Sequence, residues 1–279
     1  MLLFAVTMFP AKAQQVKEPR QRPEWVAAYP PFRIVGNLYY VGTEDLGCYL
    51  IVTSKGNILI NTGLAASTSQ LKQNVEALGF KFSEIKILLT SQAHYDHVGA
   101  MAEIRKMTGA VFMAASADAE VLESGGAKDY EMGKYGVSFQ PVAPDRLLHD
   151  KDSITLGGMQ IIILHHPGHT KGSCSFLFAV QDGNKNYRVL IANMPSIIID
   201  GSFSAVKAYP TIAADYAYTL ASMKNLQFDI WLAAHSSQFN LQDKHKPGDA
   251  YHPAAFIDQK GYDEAMADLQ RQYDEKMKE

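Results

Sequence analysis

Apolar and polar positions follow two rhythms along this chain. Short apolar runs at Leu38 to Val41, Tyr49 to Thr53 and Asn57 to Ile60 have the length and pattern of strands. Ser67 to Leu78 changes period, placing Leu71, Val75 and Leu78 on one helical face with Gly79 as the stop. Ile85 to Leu89 is a compact apolar run, which predicts a strand buried on both faces. A helix is expected over His97 to Lys106 and a strand over Ala110 to Met113. The second half has the same style without repeating the sequence. Ile161 to Leu164, Ser175 to Val180, Val189 to Ala192 and Phe228 to Ala233 read as strands, and Ala213 to Met223 as a helix. Tyr262, Met266, Leu269 and Tyr273 define an amphipathic C-terminal helix. Strands mixed with helices in both halves, with no linker or repeat between them, predict a layered α/β architecture in one domain over residues 33–279.

Two stretches ahead of that domain are distinct. Residues 14–32 are rich in Gln, Pro and charge and read as an extended arm. Met1 to Pro10 is nearly all apolar, and Ala11-Lys12-Ala13 offers small residues at the −3 and −1 positions of a cleavage site, so residues 1–13 read as a secretory signal peptide. No Lys or Arg precedes the apolar run, a departure from the usual pattern. The run is too short to span a bilayer, so no stable membrane insertion is expected, and the mature chain is expected in the periplasm or outside the cell. A formal net charge of −3 with no basic stripe argues against nucleic-acid binding through phosphate neutralisation. Cys48 and Cys174 lie on separate expected strands without paired metal-ligand spacing, and each reads as a buried thiol.

The chemistry concentrates after the strand Ile85 to Leu89, in Ser91-Gln92-Ala93-His94-Tyr95-Asp96-His97. Gln92, His94, Asp96 and His97 crowd together at a strand-to-helix junction, where a rigid strand end fixes the side chains. Alternation would put Gln92, His94 and Asp96 on one side of an extended segment, with His97 diverging where the chain turns. His169, in His166-Pro167-Gly168-His169-Thr170, follows the strand Ile161 to Leu164, and His235 closes the strand containing Ile230, Trp231 and Leu232. Imidazoles mixed with a carboxylate favour zinc or a similar transition ion over calcium or magnesium. The remaining histidines, His149, His165, His166, His245 and His252, read as structural or surface residues, with His166 near enough to support the site.

The cluster resembles the His-x-His-x-Asp-His signature of the metallo-β-lactamase superfamily, with Gln92 at the first histidine position. Gly168-His169-Thr170 resembles that family's second motif and His235 its last ligand. The likeness runs from Leu38-Tyr39-Tyr40-Val41-Gly42 to Phe256-Ile257-Asp258. The absence of a cysteine ligand and the Phe-Ile-Asp segment are similar to subclass B3, and Gln92 with Asn193-Met194-Pro195-Ser196 to its GOB-type enzymes. The resemblance implies a four-layer αββα sandwich, two mixed sheets flanked by helices, with a site built from loops at one sheet edge. It implies one or two zinc ions, the first held by Gln92, His94 and His169, the second by Asp96, His97 and His235. It implies β-lactam hydrolysis by a metal-bound hydroxide and hence antibiotic resistance, with Asp96 as a candidate proton carrier and Ser196 on the substrate carboxylate. Thr170 and Asn61 would support the ligands, although many relatives have Asp where Asn61 stands. A monomer is expected.

Gln92 has a further consequence. A neutral amide oxygen is a poorer zinc donor than imidazole, so the Asp96/His97/His235 site is expected to fill preferentially. Two rivals stay open: a secreted hydrolase of the same fold acting on lactones or thioesters, and a non-catalytic zinc-binding relative.

Overall fold

A computed structural model describes residues 16–19 and 21–279; the signal peptide expected over residues 1–13 lies outside the described residues. Among the described residues twelve strands form two sheets. The first contains β1 (Phe32–Val35), β2 (Leu38–Tyr40), β3 (Tyr49–Thr53), β4 (Gly56–Ile60), β5 (Ile85–Leu89), β6 (Val111–Ala115) and β7 (Arg146–Leu148), in that order. Its first three pairings are antiparallel and its last three parallel. The second contains β8 (Ser153–Leu156), β9 (Met159–His165), β10 (Cys174–Asp182), β11 (Lys185–Ala192) and β12 (Ile230–Ala233), in the reverse order. It is antiparallel except where β12 runs parallel to β11. Both sheets are therefore mixed.

The alternation of side chains explains the layers. Tyr49, Ile51, Ile58, Ile60, Ile87 and Leu89 face one core, shared with Phe176, Phe178, Val189 and Ile191 of the second sheet. Their neighbours Leu50, Leu59 and Leu88 point the other way, against Leu71, Val75, Met101 and Ile104 of the helices Thr68–Ala77 and Met101–Thr108. Burial on both faces is why β5 reads as an unbroken apolar run. The helices Ile212–Met223 and Gln259–Lys276 close the far face, with Leu220, Met223, Tyr262, Met266 and Leu269 in one apolar cluster with the second sheet. The order is helix, sheet, sheet, helix, as the resemblance implied.

Several local expectations shift. The helix expected over 97–106 is two pieces, Tyr95–Val98 and Met101–Thr108. They part over Gly99 and Ala100, and Gly99 lies so close to the Leu64–Ala65 backbone that a β-carbon there would collide with the Ala65 nitrogen. Pro23–Val26 makes one helical turn within the stretch read as an extended arm. Cys48 and Cys174 are buried free thiols in different cores, as expected. Among the described residues no helix is long and apolar enough to cross a membrane.

Candidate metal centre

Three chain segments converge at one end of the sheets. β5 delivers the Gln92–His97 loop, β9 delivers His169, and β12 ends beside His235. The Ser91 carbonyl ties the sheets together there, accepting from the Cys174 amide at 2.9 Å and from Asn193 Nδ2 at 3.2 Å. A cleft of about 360 Å³ opens over this junction, lined by Gln92, His94, Asp96, His169 and His235 among others.

Five of the six side chains fall into two groups, and Gln92 lines the same cleft. Asp96, His97 and His235 each offer one ligand atom, and these lie within 4.8 Å of one another. Asp96 Oδ2 is 3.4 Å from both His97 Nε2 and His235 Nε2. In the other group His94 Nδ1 and His169 Nε2 are 3.1 Å apart. Two nitrogens on one tetrahedral zinc, each about 2.0–2.1 Å from it, stand roughly 3.3 Å from one another. Buried Gln92 Oε1 and His97 Nε2 have no hydrogen-bond partner among the described residues. Orphaned buried acceptors are costly unless something fills the space, and a cation beside each would satisfy it. The donor set fits zinc.

One expectation about this loop is overturned. Asp96 does not share an extended face with Gln92 and His94. It sits in the helical turn Tyr95–Val98, which swings its carboxylate toward His97 and His235. His94 and Asp96 thus serve different groups because the backbone changes from extended to helical between them.

The outer nitrogens show which ring atoms face inward. An ionised carboxylate only accepts, so Asp129 Oδ2, 3.3 Å from His94 Nε2, holds a proton on that nitrogen and leaves Nδ1, which faces His169, as the atom free to bind a cation. Asp45 Oδ2 does the same for His235 Nδ1 at 3.1 Å. The Ser196 carbonyl accepts from His169 Nδ1 at 2.7 Å. Such partners orient a ligand and raise its basicity. Burial lowers the His235 pKa, but Asp45 and Asp96 outweigh it and raise it to about 9. His169 falls to about 3 through burial and the nearby His94 charge. Burial works to raise Asp96, yet His97 and His235 hold it well below the usual carboxylate range.

The supporting residues act on backbone more than on ligands. Asn61, at positive φ after β4, accepts from the Ser91 amide at 2.9 Å and fixes the start of the ligand loop. Thr170 Oγ1 donates to Asp118 Oδ2 at 2.8 Å, and the same oxygen accepts from the Ala93 amide, clamping the His169 loop to the Gln92–His94 loop. Ser196 lines the cleft with its hydroxyl 3.2 Å from His169 Nδ1. His166 is buried against Ser175 Oγ and does not line the cleft. Sequence reasoning missed Asp45, Asp118 and Asp129, and the cleft-wall residues Arg22, Trp25 and Met132. Nothing in their local sequence marks them.

A fold of two mixed sheets sandwiched by helices, with clustered histidines at the strand ends, defines a class of metal-dependent hydrolase. The chain belongs to the metallo-beta-lactamase superfamily, whose profile matches residues 48–182. Within it, the chain is similar to the class B3 di-zinc metallo-beta-lactamase LRA-12 from an Alaskan soil metagenome. Identity is 58%, covering 94% of this chain and 100% of that one, with TM-score 0.93. It is also 58% identical to the metallo-beta-lactamase GOB-18 from Elizabethkingia meningoseptica, covering 95% of this chain and 99% of that one, with TM-score 0.94. A more distant relative is the acyl-coenzyme A thioesterase MBLAC2 of Homo sapiens, 26% identical over 203 residues, which are 65% of this chain and 68% of the relative.

Proposed function

We propose that this protein hydrolyses the amide bond of β-lactam rings with zinc held by the six clustered side chains. The carrying observation is the cluster itself, two groups of ligand atoms in one cleft, in a chain 58% identical over its length to class B3 enzymes. Asp96, His97 and His235 hold one ion and Gln92, His94 and His169 the other, giving one or two per chain. The first of these groups fills preferentially, because it has an anionic ligand and two imidazoles where the other has a neutral amide. Zinc, when bound, supplies a Lewis acid and acidifies a water to near neutral pKa, which provides a nucleophile without a serine or cysteine.

The chain's own residues then orient and enclose. The three outer acceptors, Asp129, Asp45 and the Ser196 carbonyl, take the outer nitrogen of each of three imidazoles and leave the inner one to bind a cation in place of a proton. Asp96 balances cationic charge as a ligand and is the candidate proton carrier, its carboxylate held acidic by His97 and His235. The Ser196 hydroxyl, on the cleft wall, donates to the carboxylate that β-lactam antibiotics carry. Hydrolysis adds water across the C–N bond: the hydroxyl goes to the carbonyl carbon and a proton to nitrogen, leaving a ring-opened acid. Such hydrolysis confers resistance when the enzyme acts outside the cytoplasm, which fits export with cleavage near Ala13. Residues 33–279 act as one domain and the chain as a monomer.

The thioesterase likeness gives the rival reading its footing. Purified protein should be offered a penicillin, a carbapenem and a thioester while absorbance is followed. Metal-dependent loss of lactam is expected, abolished by chelator and restored by zinc. Turnover of the thioester alone would replace this reading, and no turnover at all would favour a non-catalytic zinc-binding protein.

A further inference from the structure

We propose that Trp25, on the segment preceding the first strand, positions the metal ligand His235 through the carboxylate of Asp45. The inference rests on the reading of His235 as a ligand. Trp25 Nε1 donates to Asp45 Oδ2 at 3.0 Å, and the same oxygen lies 3.1 Å from His235 Nδ1. Asp45 Oδ1 accepts from the Ser237 amide at 2.9 Å. Three donors therefore fix the carboxylate in both tilt and rotation. An ionised carboxylate obliges Nδ1 to donate, which turns the Nε2 lone pair toward Asp96 and His97.

The arm is built to deliver this contact. The Asp45 amide donates to the Glu24 carbonyl and the Glu44 amide to the Ala27 carbonyl, so residues 24–27 are stitched to 44–45. The backbone of Lys17 exchanges two hydrogen bonds with Ser138, and Glu18 accepts from the Ala65 amide at 2.8 Å. These anchors lie on different parts of the chain. The indole also stands 5.6 Å, ring centre to ring centre, from His235 and 6.1 Å from Tyr95. A segment outside both sheets thereby completes the support of one ligand. Without the indole N–H, Asp45 Oδ2 keeps His235 as its one donor, and the pair can swing together about the Ser237 contact.

The test uses the full chain. Trp25→Phe keeps an aromatic ring and removes the N–H; Asp45→Asn removes the charge; His235→Ala removes the proposed ligand. Zinc dissociation constants are measured by competition with a chromophoric chelator, and the cobalt-substituted proteins are compared by visible absorption. His235→Ala should lose one high-affinity ion. Asp45→Asn should weaken that ion about 10- to 100-fold, in the range of lost carboxylate partners of metal-bound histidines. Trp25→Phe should weaken it roughly three- to ten-fold, the worth of one ordinary hydrogen bond, with shifted cobalt bands and an unchanged Tm. If His235→Ala binds zinc like the parent, the ligand reading itself fails. If His235→Ala loses the ion but Trp25→Phe keeps parental affinity and spectrum, the ligand reading stands and the positioning role is overturned. Trp25→Phe decides the positioning role even if Asp45→Asn fails to fold.

Discussion

Replacing Gly168 with alanine should strike the fold and the metal centre together. Gly168 has φ +132°, and a β-carbon there would stand 2.8 Å from Tyr216 Cγ and 2.9 Å from Cδ1. Ordinary carbon contacts are about 3.5–4.0 Å, so something must move by roughly 0.7 Å. Tyr216 is buried, so its ring cannot simply swing into solvent. Backbone strain of about 1–3 kcal/mol and overpacking of about 1–3 kcal/mol together give roughly 2–6 kcal/mol. That is a large share of the roughly 5–15 kcal/mol that holds a typical domain. The displacement also reaches the site. Tyr216 Oη donates to the Ser196 carbonyl at 2.9 Å, and that carbonyl accepts from His169 Nδ1. Urea denaturation of Gly168→Ala, with Gly168→Ala/Tyr216→Leu beside it, separates the parts. The second change makes room without curing the φ, so the double variant should cost less than the two single losses summed. A Gly168→Ala variant within about 0.5 kcal/mol of the parent, at equal denaturant slope, would mean that neither the clash nor the strain is real.

Three further outcomes follow from the same geometry. Gln92→His should tighten the weaker metal site, seen as slower loss of the second zinc to chelator; equal or faster loss would contradict the assigned weakness of the amide. Asp129→Asn frees His94 from its carboxylate, and metal retention at the Gln92 group should fall about 10-fold or more while the circular dichroism spectrum is unchanged. Burial tends to raise the Asp258 pKa, but Lys244 at 2.7 Å and the Gly261 amide hold it below the ordinary value. A depressed carboxyl stabilises the fold above its unfolded pKa and loses that contribution as pH falls through the folded one. Asp258→Ala, which also uncaps the helix Gln259–Lys276, should therefore cost about 1 kcal/mol at neutral pH. The difference from the parent should shrink in acid, as pH-dependent thermal unfolding would show.

The architecture is legible where burial imposes a pattern. β3, β4, β5 and the paired β10 and β11 declare themselves because each buries apolar side chains on both faces. β1, β7 and β8 escape such a reading, since Phe32–Val35 and Arg146–Leu148 are short strands at the sheet edges and carry charge. Ser153–Leu156 likewise forms an edge and buries few side chains. The break falls at Ala100, after a glycine pressed against the Leu64–Ala65 backbone, and helical periodicity does not express such a tertiary approach.

The site divides along the same line. His94, Asp96 and His97 sit in one loop, and His169 and His235 each follow a visible strand, so local sequence marks them. Asp129 meets His94 from 35 residues away, Asp118 meets Thr170 from 52, and Asp45 meets His235 from 190. Such carboxylates look like any loop acid until the fold closes. Trp25 is harder still, because an arm rich in Gln, Pro and charge gives no sign that its indole reaches the metal cleft.

Diffraction from zinc-loaded crystals on both sides of the zinc absorption edge would locate the metal without recourse to activity. An anomalous peak enclosed by Asp96, His97 and His235 is expected, with a second, weaker one among Gln92, His94 and His169. Zinc found only elsewhere, with those side chains turned away from it, would contradict the assignment of the six ligands.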